Sequence, residues 1–160
     1  MGYVLQCVIA PARVLDPRPP FTNAVVVGLD QGLSLMPMTP DLYDEVSRGD
    51  HSFAPAHLFP PGFEDVLSAW SATAPVAYVE AEYFGGSGSQ FAAVWQNGAL
   101  ALGPLHLTPN EPRPAPGWSP ISHALRHLGA SRQNHDDEFD ALRLGRHRHT
   151  EDWLPPEHQA

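Results

Sequence analysis

PVAYVEAEYFGGSGSQFAAVWQNGALALGPLHL, residues 75–107, is the longest strand-like run in the chain and decides its fold class. Strand side chains alternate with a period of two. Val76, Tyr78, Glu80, Glu82 and Phe84 therefore share one face; Ala77, Val79, Ala81 and Tyr83 share the other. Gly85, Gly86 and Gly88 break the pattern, because glycine takes positive φ at little steric cost. Residues 85–90 read as a loop and 91–96 as a second strand. Asn97-Gly98 signals a type I′ hairpin, which needs positive φ at both central positions. A third strand returns over 99–102, disturbed at Gly103-Pro104 before 105–107.

These turns set an expected register. Asn97-Gly98 pairs Gln96 with Ala99, Trp95 with Leu100 and Val94 with Ala101. A symmetric glycine loop would pair Phe84 with Phe91, Glu82 with Ala93 and Glu80 with Trp95. One face then carries Tyr78, Glu80, Glu82, Phe84, Phe91, Trp95, Leu100 and Leu102, and the other mostly Ala and Val. A slip of one residue would reverse the faces. Carboxylates at i and i+2 on one strand face lie roughly 7 Å apart. Partial burial and mutual repulsion would raise their pKa values. That suits acid–base work, a divalent cation, or a partner's arginine or lysine. The plainer alternative is a solvated pair at an open end of the sheet. A phosphate cradle in GGSGSQ is disfavoured: a strand follows where a P-loop needs a helix, and the chain has no lysine.

The run Glu82-Tyr83-Phe84-Gly85-Gly86-Ser87-Gly88-Ser89-Gln90, with the Ala/Val/Trp strand after it, resembles a YFGG-x-G-x-Q motif of small bacterial proteins. That pattern is associated with actinobacterial genomes and with immunity-type proteins. The resemblance covers about 25 residues and implies no catalytic assignments.

At 160 residues, one domain over 1–160 is expected, with enough chain for a real core. Net charge is −9, which disfavours nucleic acid and anionic membrane and favours a basic protein partner. The lack of lysine rules out Schiff-base chemistry by this chain's own residues. Cys7 is the one cysteine, so no internal disulfide can form; it reads as a buried strand thiol. The sequence MGYVLQCVIAPARV lacks a basic leader and a long apolar run, so a cytoplasmic protein is expected.

Elsewhere the chain reads as short elements. Strands are expected over 3–9, 24–29 and 33–38, with Pro37 marking the last as an edge candidate. Thr39-Pro40 opens a helix that Gly49 ends. Phe63, Val66, Leu67 and Trp70 recur at helical spacing over 62–73. Ser119-Pro120 opens a helix closed by Gly129. A last helix is expected over 136–144, and Trp153 and Leu154 should dock the tail. Strands followed by helices, twice over, predict an α+β fold with a largely antiparallel sheet packed by helices.

Other constellations are weaker. His123 and His127 stand at i, i+4, a spacing two imidazoles can use for one metal. No third or fourth ligand is recognisable, so no metal or cofactor is expected. Arg143, Arg146, His147, Arg148 and His149 form a basic cluster, expected to be neutralised by the acidic cluster Asp136, Asp137, Glu138 and Asp140. No serine-nucleophile signature occurs. The reading is a binding module, an immunity-type neutraliser of a basic toxin being its specific form. Its candidate contacts are Glu80, Glu82, Tyr83, Phe84, Gly85, Gly86, Gly88, Gln90 and Trp95. The alternative is a small-molecule-binding protein or enzyme using Glu80 and Glu82 in a pocket beside the glycine loop.

Overall fold

The computed structural model describes residues 2–158. The apolar alternation of the first strand, β1 (Tyr3–Pro11), places Leu5, Cys7 and Ile9 on one face and Val8 and Ala10 on the other, all buried. Both faces are therefore covered. β1 lies inside one antiparallel sheet of order β2-β3-β1-β4-β5-β6, with β2 at Val27–Gly28, β3 at Leu33–Pro37, β4 at Val76–Phe84, β5 at Ser87–Gln96 and β6 at Ala99–Leu107. A four-residue helix, α1 (Ala12–Leu15), follows β1. The fold is α+β.

Helices cover the sheet on both sides. On one side α2 (Pro40–Val46) and α3 (Phe63–Trp70) pack with Phe59 over Val8, Met36, Tyr78, Phe91 and Trp95. Thr39 caps α2 by accepting the Leu42 N–H at 3.3 Å. Phe63 and Leu67 are fully buried, each contributing about 2 kcal/mol by removal from water. On the other side α4 (Pro120–His127) and α5 (Glu138–Ala141) pack over Cys7, Val79, Ala92 and Val94. Ser119 caps α4 through the Ser122 N–H, and Gly129 follows it at φ 97°. Trp153 docks into this second core. Among the described residues no helix is long and apolar enough to cross a membrane.

Several boundaries differ from the sequence reading. The strand expected over 24–29 pairs only at Val27 and Gly28. The last helix shrinks from 136–144 to Glu138–Ala141, because Arg143 at φ 55° breaks it. The helix expected over 62–73 stops at Trp70. Pro37 does not mark a sheet edge, since β3 lies between β2 and β1. The Met38 N–H donates to the Gln6 carbonyl, so the nitrogen of Pro37 faces the β2 side, where pairing has already ended at Leu35.

The hairpins carry the main correction. Gly85 (φ 61°) and Gly86 (φ 83°) close a two-residue turn, so Phe84 pairs with Ser87, not with Phe91. Residues 87–90 join the strand. Glu82 faces Ser89 and Glu80 faces Phe91, in place of Ala93 and Trp95. The displacement is an even number of residues, so each side chain keeps its expected face. At the second hairpin Trp95 pairs with Leu100 as expected, but a bulge sets Val94 against Leu102 instead of Ala101. Gly103 sits at that bulge with φ 90°; a Cβ there would lie 2.7 Å from the Ala92 carbonyl oxygen. The extra residue turns Leu102 to the α4 side.

Candidate functional site

β1 and β4 run side by side with Val4 opposite Glu82 and Gln6 opposite Glu80. All four point to the α2–α3 side, but the helices stop short of this end of the sheet. The irregular segment 51–61 crosses there instead and leaves a depression of about 410 Å³. Its walls include Gln6, His57, Leu58, Glu80, Glu82 and Ser89.

Glu80 is the most constrained carboxylate in this depression. Its side chain is 13 % exposed. Oε2 accepts from the Tyr78 hydroxyl at 2.6 Å, and Oε1 accepts from the Leu58 N–H at 3.3 Å. Burial raises its pKa above the ordinary glutamate value and the charge of Glu82 adds to this; the two hydrogen bonds oppose the rise. Burial likewise pushes the Tyr78 hydroxyl well up. The Leu58 carbonyl accepts from the Gln6 amide at 2.9 Å and lies 3.1 Å from the Tyr78 hydroxyl, whose one proton it shares with Glu80. One backbone unit of the crossing segment is thus clamped to three side chains of the sheet.

His57 completes this wall. Its Nδ1 lies 3.9 Å from Glu80 Oε1, and its ring packs on Phe91 with centroids 4.4 Å apart. His106 approaches edge-on at 5.0 Å. Burial, then the neighbouring His106, lower the His57 pKa. Burial therefore favours the neutral form of both Glu80 and His57. Glu82 stands exposed at the mouth, and among the described residues no hydrogen bond or ion pair engages its carboxylate.

The remaining sequence candidates divide. Phe84 is 77 % exposed at the end of β4, beside the Gly85-Gly86 turn. Trp95 is buried among Phe53 and Phe59 in the core, away from the depression. Tyr83, Gly88 and Gln90 belong to the opposite face. Tyr83 lies across Gly88, where a Cβ would overlap its ring. Buried Gln90 donates to the Tyr83 hydroxyl at 2.8 Å and accepts from the Ile121 N–H of α4 at 3.0 Å. Tyr83 and Gln90 edge a separate depression of about 480 Å³ between residues 113–117 and 136–140. Glu80 and Glu82 are together, and Gln90 also lines their depression although its side chain bonds on the α4 side; Tyr83, Phe84, Gly85, Gly86, Gly88 and Trp95 do not line it.

No protein family, curated protein or solved structure matches the chain. The site is therefore read from its own chemistry. Among the described residues no group of three or more His, Cys, Asp or Glu is placed to hold a metal ion. His127 contacts Gln96 at 2.9 Å and His123 contacts Arg126 at 3.2 Å, so each imidazole has its own partner. The expected mutual neutralisation of the basic and acidic clusters does not occur as read. Arg143 pairs with Asp30 at 2.9 Å, and Arg146 lies over the Trp153 ring. The acidic-cluster member that is paired, Glu138, meets Arg126 at 3.1 Å. Sequence reasoning missed Gln6, His57 and Leu58. Gln6 had a signal, as the lone polar residue in YVLQCVIA; His57 and Leu58, in an irregular segment, had none.

Proposed function

We propose that this protein acts by binding, and that the depression at Glu80 and Glu82 receives basic side chains of a protein partner. The observation that carries this reading is the largely desolvated Glu80 beside an unpaired Glu82 at the mouth. A guanidinium or ammonium group entering there would relieve the repulsion between the two carboxylates and hold Glu80 in its charged form. The net charge of −9 would steer a basic partner towards the protein. The specific form of the reading is an immunity-type protein that neutralises a basic toxin in the cytoplasm, in line with the YFGG-x-G-x-Q resemblance.

A second reading is favoured by one observation. Glu80, Tyr78 and His57 lie together with shifted pKa values, as acid–base groups of a small-molecule site do. One array separates the two. Immobilised peptides of graded lysine and arginine content are probed with the parent protein and with the Glu80→Gln/Glu82→Gln variant, at low and at physiological salt. Capture should rise with basic content, weaken as salt rises, and fall at least tenfold in the variant. Capture that ignores basic content, or that the variant retains in full, would leave the small-molecule reading in its place.

A further inference from the structure

The depression at Glu80 and Glu82 does not end at β1. A second depression, of about 370 Å³, lies on the other side of Leu58 and shares Val4, Gln6 and Leu58 with the first. Its far wall carries Tyr43 and Asp44 of α2, Glu151, and His149, whose Nδ1 lies 3.5 Å from Asp152. Leu58 is 53 % exposed and forms a low apolar ridge between the two. Asp44 and Glu151 are exposed, and among the described residues neither carboxylate has a hydrogen bond or ion pair. Both ends of the combined cleft therefore carry unpaired negative charge, with an apolar saddle in the middle.

The direction of the cleft follows from the backbone. Val4 pairs with Glu82 on one side, and its N–H donates to the Arg148 carbonyl on the other at 2.8 Å. The Gln6 N–H donates to the Thr150 hydroxyl at 3.1 Å. Residues 148–150 thus take the place beside β1 that β3 vacates after Pro37. The cleft crosses β4, β1 and this segment at right angles to the strands. Neighbouring strands lie about 4.8 Å apart, so its acidic ends are separated by about 10 Å at the backbone.

We propose that the cleft binds an extended polypeptide segment carrying two basic residues four apart, one at Glu80 and Glu82 and the other at Asp44 and Glu151. The proposal rests on the reading of Glu80 and Glu82 as a site for basic side chains, and extends it to a spacing. Only even spacings put two side chains on one face of an extended chain. At about 3.3 Å per residue, a spacing of two spans about 7 Å and a spacing of four about 13 Å. Either falls within a side chain's reach of the ends, but a spacing of four also puts the midway residue on the same face, over the exposed side chain of Leu58. Leu58 then meets the residues between them and packs against their apolar atoms.

Fluorescence anisotropy with three labelled peptides tests this. One has a single arginine in an alanine–serine background, one has two arginines four apart, and one has two adjacent arginines. They are titrated with the parent, with Glu80→Gln/Glu82→Gln and with Asp44→Asn/Glu151→Gln. The four-apart peptide should bind at least fivefold tighter than either other peptide. The Asp44→Asn/Glu151→Gln variant should abolish that advantage, bringing the four-apart peptide down to the affinity of the single-arginine peptide. Equal binding of all three peptides, sensitive only to Glu80→Gln/Glu82→Gln, would overturn the two-ended cleft and leave the first site standing. Binding indifferent to both variants, or no binding of any peptide, would overturn both.

Discussion

Glu80 is a carboxylate held where its charge is disfavoured, and that has a consequence for stability. Its pKa is raised in the folded protein, chiefly by burial, above the 4.5 of an ordinary glutamate. A raised carboxyl pKa stabilises the fold fully below the unfolded value. That contribution is lost as pH rises through the folded value. Glu80→Gln removes the ionisation but keeps the shape. Its amide can accept from the Leu58 N–H and donate to the Tyr78 hydroxyl, which can still donate to the Leu58 carbonyl. Denaturant unfolding should therefore find the variant equal to the parent at pH 8, or more stable by up to about 1 kcal/mol. Its stability should also change less between pH 4.5 and 7. A loss of more than about 2 kcal/mol at pH 8 would mean that the charge itself holds segment 51–61 in place.

At the scale of elements, Gln90 illustrates how a residue picked for function turns out to join two layers. It ties β5 to the N-terminal turn of α4 through Ile121 and to β4 through Tyr83. Gln90→Leu would leave the Ile121 N–H and the Tyr83 hydroxyl without these partners. Thermal or denaturant unfolding should show a loss of about 1–3 kcal/mol. Binding of basic peptides should fall far less than in Glu80→Gln/Glu82→Gln, because the Gln90 side chain is turned to the α4 side although the residue lines that depression. Much of this level was legible in sequence. The alternation in β1 and β4 put each residue on its observed face, and Thr39 and Ser119 marked their helix starts. The pairing across Gly85-Gly86 was not legible, because three glycines in four residues allow several turn lengths and only the closed sheet selects the shortest. The bulge that moves Leu102 was hidden likewise, since it depends on the close approach of Gly103 to the Ala92 carbonyl. Half of the site was out of reach for a related reason: His57 and Leu58 arrive on a segment with no periodicity, positioned by hydrogen bonds to Tyr78, Gln6 and Glu80.

The described residues form a six-stranded antiparallel sheet with helices packed on both sides, and segment 51–61 crosses one end of the α2–α3 face. There the cover is a clamped segment, and the uncovered carboxylates collect. The central claim is that this end, and not the depression near Arg113 and Asp140 on the other face, receives the partner's basic groups. An amide chemical-shift map of the protein titrated with a peptide bearing two arginines four apart tests that claim most directly. Saturable shifts should concentrate at Gln6, Leu58 and residues 80–82, and be absent in Glu80→Gln/Glu82→Gln. Shifts centred on residues 113–117 and 136–140, or unchanged in that variant, would contradict it.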